Sequence, residues 1–109
     1  MEPSIIVYTE YVNNSLLESL LFSVSMEVRT SRKGNVWEFM IDNCLYNLTI
    51  DEADAETVKE DMGANEITSD GPFYAITMTS MVHEAENQKQ LMQLVELIEN
   101  VLPVCGVVK

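Results

Sequence analysis

The chain has few of the residues from which catalytic and metal sites are built. Its 109 residues include one histidine, His83, and two cysteines, Cys44 and Cys105. Structural zinc sites take about four closely spaced cysteine or histidine ligands, and these residues do not supply them. Ser80 and Glu84 lie near His83 in the sequence, but nothing resembles the nucleophile elbow of a catalytic triad, so we interpret His83 as a polar residue at a strand end. We expect no catalytic residues, no metal site and no cofactor, and therefore no enzyme.

Basic residues and long apolar runs are equally scarce. The chain has six lysines and arginines in total and 18 aspartates and glutamates, which gives a net charge of −12. Direct binding to nucleic acid requires cationic neutralisation of phosphates, and this composition argues against it. No apolar run approaches the roughly 20 residues that span a bilayer, and the first residues lack the basic segment of a signal peptide. We expect a cytoplasmic protein without a membrane partner and with reduced cysteines.

Glycine is scattered as four single residues. A phosphate-binding loop needs clustered glycines, so nucleotide hydrolysis is not expected. The acidic run 51–56 also lacks the central glycine of a calcium-binding EF-hand loop.

The residues that are present predict one α+β domain. The apolar fraction of 47% is that of a globular protein. Strands are predicted at residues 5–11, 36–42, 44–50 and 73–82, with 104–108 as an edge strand or a docked tail. Helices are predicted at residues 15–26, 54–62 and 87–102. The order β-α-β-β-(α)-β-α-β predicts a two-layer sandwich, in which a mainly antiparallel sheet carries two long helices on one face.

Local signals refine this prediction. Ser15 and Glu18 match a capping box at the start of the first helix. Asp42 and Asn43 are typical of a tight hairpin turn. Because Trp37 alternates with apolar neighbours along its strand, we expect it in the core.

The most informative feature is an acidic stretch between residues 51 and 70, in which Lys59 is the single base. The negative electrostatic field of such a stretch repels nucleic acid and anionic membranes and attracts basic protein surfaces. Aromatic residues that follow directly, Phe73 and Tyr74, are predicted to be exposed anchors of the same surface. The predicted carboxylates are Asp51, Glu52, Asp54, Glu56, Glu60, Asp61, Glu66 and Asp70.

These observations favour a small acidic inhibitor, specifically an immunity protein that neutralises a cognate bacterial toxin domain. Its carboxylates would occlude a basic active site, and a nuclease is the specific expectation. The alternative is a small-molecule-binding or dimeric regulatory α+β domain. A phosphate mimic that blocks a nucleic-acid-binding machine is a third hypothesis. The sequence leaves open whether the protein is a monomer or a homodimer.

Overall fold

The computed structural model describes residues 4–25, 27–30, 35–63, 67, 71–80 and 85–108. These residues form six strands and three helices. The strands are β1 (Ser4–Thr9), β2 (Val28–Thr30), β3 (Val36–Ile41), β4 (Cys44–Ala53), β5 (Phe73–Ser80) and β6 (Val104–Val108). The helices are α1 (Asn14–Val24), α2 (Ala55–Met62) and α3 (Ala85–Val101). The α+β class is confirmed, but the predicted order lacked β2.

All strands belong to one antiparallel sheet with the order β2-β3-β4-β5-β1-β6. The predicted hairpin is confirmed, because Ile41 pairs with Cys44 across a two-residue loop. Asp42 and Asn43 have φ values of 50° and 67°, as a tight turn with left-handed residues requires. The segment 104–108 is an edge strand, paired with β1.

The main hydrophobic core lies between one face of the sheet and the helices α1 and α3. It contains Leu17 and Leu21 of α1, and Leu94 and Ile98 of α3, packed on the inward side chains of the strands. Trp37 is 1% exposed, which confirms its predicted place in the core. Burial of this apolar surface is the dominant force that holds the sheet and the two long helices together.

A second, smaller core lies on the opposite face of the sheet. In β1, Ile5 and Val7 join the main core, whereas Tyr8 packs with Val58 of α2 and with Phe73. Successive side chains of a strand point to opposite faces, so α2 covers the face that α1 and α3 leave open. The expectation that the two long helices pack on one face of the sheet holds, and α2, for which no face was predicted, packs on the opposite face.

Two local predictions around α1 are wrong. The side chain of Asn13, and not that of Ser15, caps the helix by accepting a hydrogen bond from Leu16 N at 3.1 Å. The helix ends at Val24, two residues before the predicted end at residue 26. The hydroxyl of the next residue, Ser25, accepts a hydrogen bond from Met40 N at 3.0 Å, which links the connection between α1 and β2 to β3. Since β2 has only three residues, its sequence alone gives too short a pattern to predict a strand.

Candidate protein-binding surface

The acidic stretch begins inside the sheet. β4 continues to Ala53, three residues beyond the predicted end at residue 50, because Asp51 and Glu52 pair with Ala75 and Tyr74 of β5. Both carboxylates are exposed, and as neighbours in a strand they point to opposite faces. The ladder with β5 therefore fixes their backbone in a rigid position. Asp51 is therefore a strand residue.

Asp54 is the residue that begins α2. Its side chain accepts a hydrogen bond from Thr57 N at 2.8 Å. Hydrogen bonding from Thr57 lowers the pKa of the Asp54 carboxyl below its usual value, because these bonds stabilise the ionised form. Glu56 follows in the first turn, where a negative charge favours the helix dipole. The predicted helix at residues 54–62 is thus confirmed, and Gly63 ends it with a φ of 92°.

Asp61 ties the far end of α2 to the sheet. The Tyr8 hydroxyl of β1 donates a hydrogen bond to the Asp61 carboxylate. Tyr8 is 3% exposed, and its burial, together with the bond to Asp61 and the charge of that residue, raises its pKa to about 12. Asp61 therefore has a structural role in addition to its charge. The side chain of Met62, next to it, lies against Gly106 of β6.

The structure corrects one of the two predicted aromatic anchors. Phe73 is 1% exposed and belongs to the small core under α2, so the prediction that it is an exposed anchor is wrong. Its pairing with Ala53 turns the side chain toward α2. Tyr74 is half-buried against the main core and pairs with Glu52, so only part of its ring is available to a partner.

Six of the predicted carboxylates belong to two consecutive elements, the end of β4 and α2 with its cap. We call this set the acidic segment; its members are Asp51, Glu52, Asp54, Glu56, Glu60 and Asp61. All six are exposed, and the one base among them, Lys59, is half-buried in the last turn of α2. Glu66 and Asp70 lie outside the described residues, as does His83. By strand alternation, Glu52 lies on the face of the sheet that carries α1 and α3, whereas Asp51 lies on the face that α2 covers. The acidic segment is therefore an exposed negative surface that spans both faces at this end of the sheet.

Sequence reasoning missed a second feature near this surface, a groove of about 550 Å³ along β6. Glu99 of α3 lines it together with residues 102–107. Glu10 adds a second carboxylate, whose Oε1 lies 3.7 Å from Cys105 Sγ. The only sequence signal for this groove was an uncharged, valine-rich run that follows a proline. Glu10 and Glu99 gave no signal because they belong to different elements.

Within the described ranges, no three histidine, cysteine, aspartate or glutamate residues are grouped so that they could hold a metal ion. Cys44 and Cys105 are both free thiols. None of the helices in the described part of the chain combines the length and the apolar character needed to cross a bilayer. Neither a protein-family model nor a curated protein sequence matches this chain, so its function must be argued from the chemistry of its surface.

Proposed function

We propose that this protein is a cytoplasmic inhibitory binding protein, an immunity protein that neutralises a bacterial toxin domain with a basic active site. The observation that carries the proposal is the acidic segment. Its carboxylates are exposed and mounted on paired strand and helix. A fixed array of negative charges attracts a cationic cleft at long range and suppresses acidic partners.

The mechanism is occlusion without catalysis. The carboxylates take the place of substrate phosphates among the lysines and arginines of the toxin, as charge-assisted hydrogen bonds to such groups allow. Because Asp51 and Glu52 lie in the β4–β5 ladder, they lose little conformational freedom on binding. The exposed part of Tyr74, the cross-strand neighbour of Glu52, contributes apolar contact area beside the charges.

The alternative, a small-molecule-binding regulatory domain, has weaker support. A cavity of about 210 Å³ lies beside β2 and β3, between Arg29, Glu38 and Phe39. Ligand pockets usually have volumes from roughly 300 to 1,000 Å³ and mostly apolar walls. This cavity is smaller and has charged residues in its wall. The groove of about 550 Å³ along β6 falls within that range of volumes but is open to solvent and does not enclose a ligand, so the binding-protein proposal is preferred.

The test is association of this protein with purified toxin domains of bacterial nucleases, starting with any that a neighbouring open reading frame encodes. We expect a complex that blocks the toxin's activity and rescues growth of cells that produce it. The variant that combines Glu52→Gln, Glu56→Gln and Glu60→Gln removes three exposed charges and leaves the cap Asp54 and the Tyr8–Asp61 hydrogen bond intact. At low salt its association rate should fall by about tenfold, because long-range steering is lost.

The matched control combines Glu27→Gln, Glu38→Gln and Glu96→Gln, which are exposed glutamates outside the acidic segment. It has the same net charge as the first variant, so a difference between the two reports position alone. We expect the control to retain nearly the wild-type rate. Equal slowing of both variants, or the absence of a complex with every toxin domain tested, would contradict the proposal.

A further inference from the structure

The two edges of the sheet are built differently. β2 has three residues, and its central Arg29 is exposed. Short, charged edge strands resist pairing with another chain. β6 has five residues, Val-Cys-Gly-Val-Val, and no charge. In the sequence no lysine or arginine occurs between Lys89 and Lys109. The usual protection of an edge is therefore present at β2 and absent from β6.

β6 is paired on one side only within the described part of the chain. Gly106, Val107 and Val108 pair in regular register with β1, and the irregularity of the ladder is confined to the Tyr8/Thr9 end. Alternate residues of an antiparallel edge strand direct their backbone N–H and C=O groups away from the sheet. The groove of about 550 Å³ runs past residues 102–107, so an extended segment has room beside these groups.

One carboxylate lines the groove, and a second lies beside one of its lining residues. Glu99 lines it from α3, and Glu10 reaches Cys105 from the end of β1. On the other face of the sheet, Met62 brings the C-terminal end of α2, with Asp61, over Gly106. Carboxylates thus flank β6 from both faces, and the described residues that line the groove include no lysine or arginine.

We infer that β6 is a docking edge, onto which a basic, extended segment of the partner adds as a seventh strand. Main-chain hydrogen bonds would supply the pairing, and lysine or arginine side chains on alternate positions would meet Glu10, Glu99 and Asp61. The inference rests on the proposed function for the identity of the partner. Beyond that function, it specifies that the partner binds to β6 and that the bound segment of the partner is an extended strand.

Charge favours this occupant over a second copy of the chain. A symmetric antiparallel pairing of two β6 strands would bring Glu10 and Glu99 of both copies together. Each copy also carries a net charge of −12, and like charges placed face to face oppose association. A cationic segment gains from the same charges that repel a second copy.

The experiment uses a short, end-blocked peptide of alternating lysine and valine as the probe, added to the full-length protein. Amide hydrogen exchange is followed residue by residue. We expect exchange at alternate amides of β6 to slow by about tenfold or more at saturating peptide, as new hydrogen bonds would require. A peptide with the same charges, N-methylated at alternate positions, cannot pair as a strand. Its dissociation constant should be at least about tenfold higher than that of the unmethylated peptide.

Two proline variants, Val107→Pro and Val108→Pro, sharpen the test. Neighbouring residues of β6 direct their N–H groups alternately toward β1 and outward, so one variant breaks the ladder and the other blocks the outer edge. The variant that keeps wild-type stability should lose peptide binding by about tenfold. If both variants unfold, the hydrogen-exchange measurement on the wild-type protein with the peptide still tests the inference.

The outcomes separate this inference from the proposed function. The docking edge is overturned if the peptide slows hydrogen exchange at no β6 amide. It is also overturned if, without peptide, exchange at β6 slows as the protein concentration and the fraction of dimer rise. Toxin neutralisation that survives the edge-blocking proline also overturns it and leaves the proposed function standing. Protection of β6 by the peptide without inhibition of the toxin supports the docking edge and contradicts the proposed function.

Discussion

The two faces of the sheet are stabilised to very different extents. Among the described residues, sixteen that are buried form the core under α1 and α3, whereas four form the core under α2. A single cap, Asp54, and the Tyr8–Asp61 hydrogen bond supplement the smaller core. Segments with few buried contacts open locally at lower free energy than the rest of a domain. The acidic segment thus combines strand residues fixed by the ladder with a helix that is less firmly attached.

The largest effect is expected from the same substitution in each core. Phe39 and Phe73 are both 1% exposed. Phe39→Ala should lower the free energy of unfolding by about 4–5 kcal/mol, and Phe73→Ala by about 3 kcal/mol, because the small core collapses more easily around a cavity. Chemical denaturation measures both values. Hydrogen exchange in Phe73→Ala should accelerate first in α2, and uniform acceleration across both faces would contradict the difference.

A smaller effect is expected from Tyr8→Phe, which removes the hydrogen bond to Asp61 without removing the ring. We expect a loss of about 1.5 kcal/mol, since the acceptor is charged. Burial and Asp61 raise the pKa of Tyr8 from 10.0 to about 12. The folded state therefore favours the protonated phenol. Its contribution is complete below pH 10 and is lost as the pH rises through about 12.

Alkaline denaturation followed by circular dichroism measures this contribution. Wild-type protein should lose stability between pH 10 and about 12, and the Tyr8→Phe variant should lack the part of that loss that Tyr8 causes. Identical alkaline profiles for the two proteins would show that the bond to Asp61 does not hold α2.

The smallest effect is expected at the contact between α2 and β6. A Cβ on Gly106 would clash with the side chain of Met62. Gly106→Ala should therefore cost about 1 kcal/mol, because the flexible end of Met62 can move but loses packing. Thermal unfolding measures the cost. Adding Met62→Ala removes the clash, so the double variant should be less destabilised than the sum of the two single changes. Strict additivity would contradict the contact.

Several elements follow directly from local patterns. Period-two alternation located β3, β4 and β5, and helical spacing of leucine and isoleucine located α1 and α3. The turn at Asp42 and Asn43 followed from the left-handed preference of these residues. These signals work because each is contained within a few neighbouring positions.

Other features depend on residues that are distant in the sequence. β2 exists because Val28 and Thr30 find Phe39 and Trp37 opposite them in β3. Asp51 and Glu52 became strand residues because β5 extends the ladder past Ile50. No local pattern predicts such pairing, since the neighbouring strand supplies half of the hydrogen-bonding groups.

Composition and local pattern alone establish that this protein carries a large negative charge, that its acids concentrate between residues 51 and 70, and that an α+β domain bears them. Folding then sets where those charges lie. Strand register buried Phe73, exposed Asp51 and Glu52 on opposite faces, and placed α2 opposite the long helices. It also left the uncharged β6 at an edge between carboxylates. Composition is a sum over residues, whereas a binding surface depends on which distant residues become neighbours.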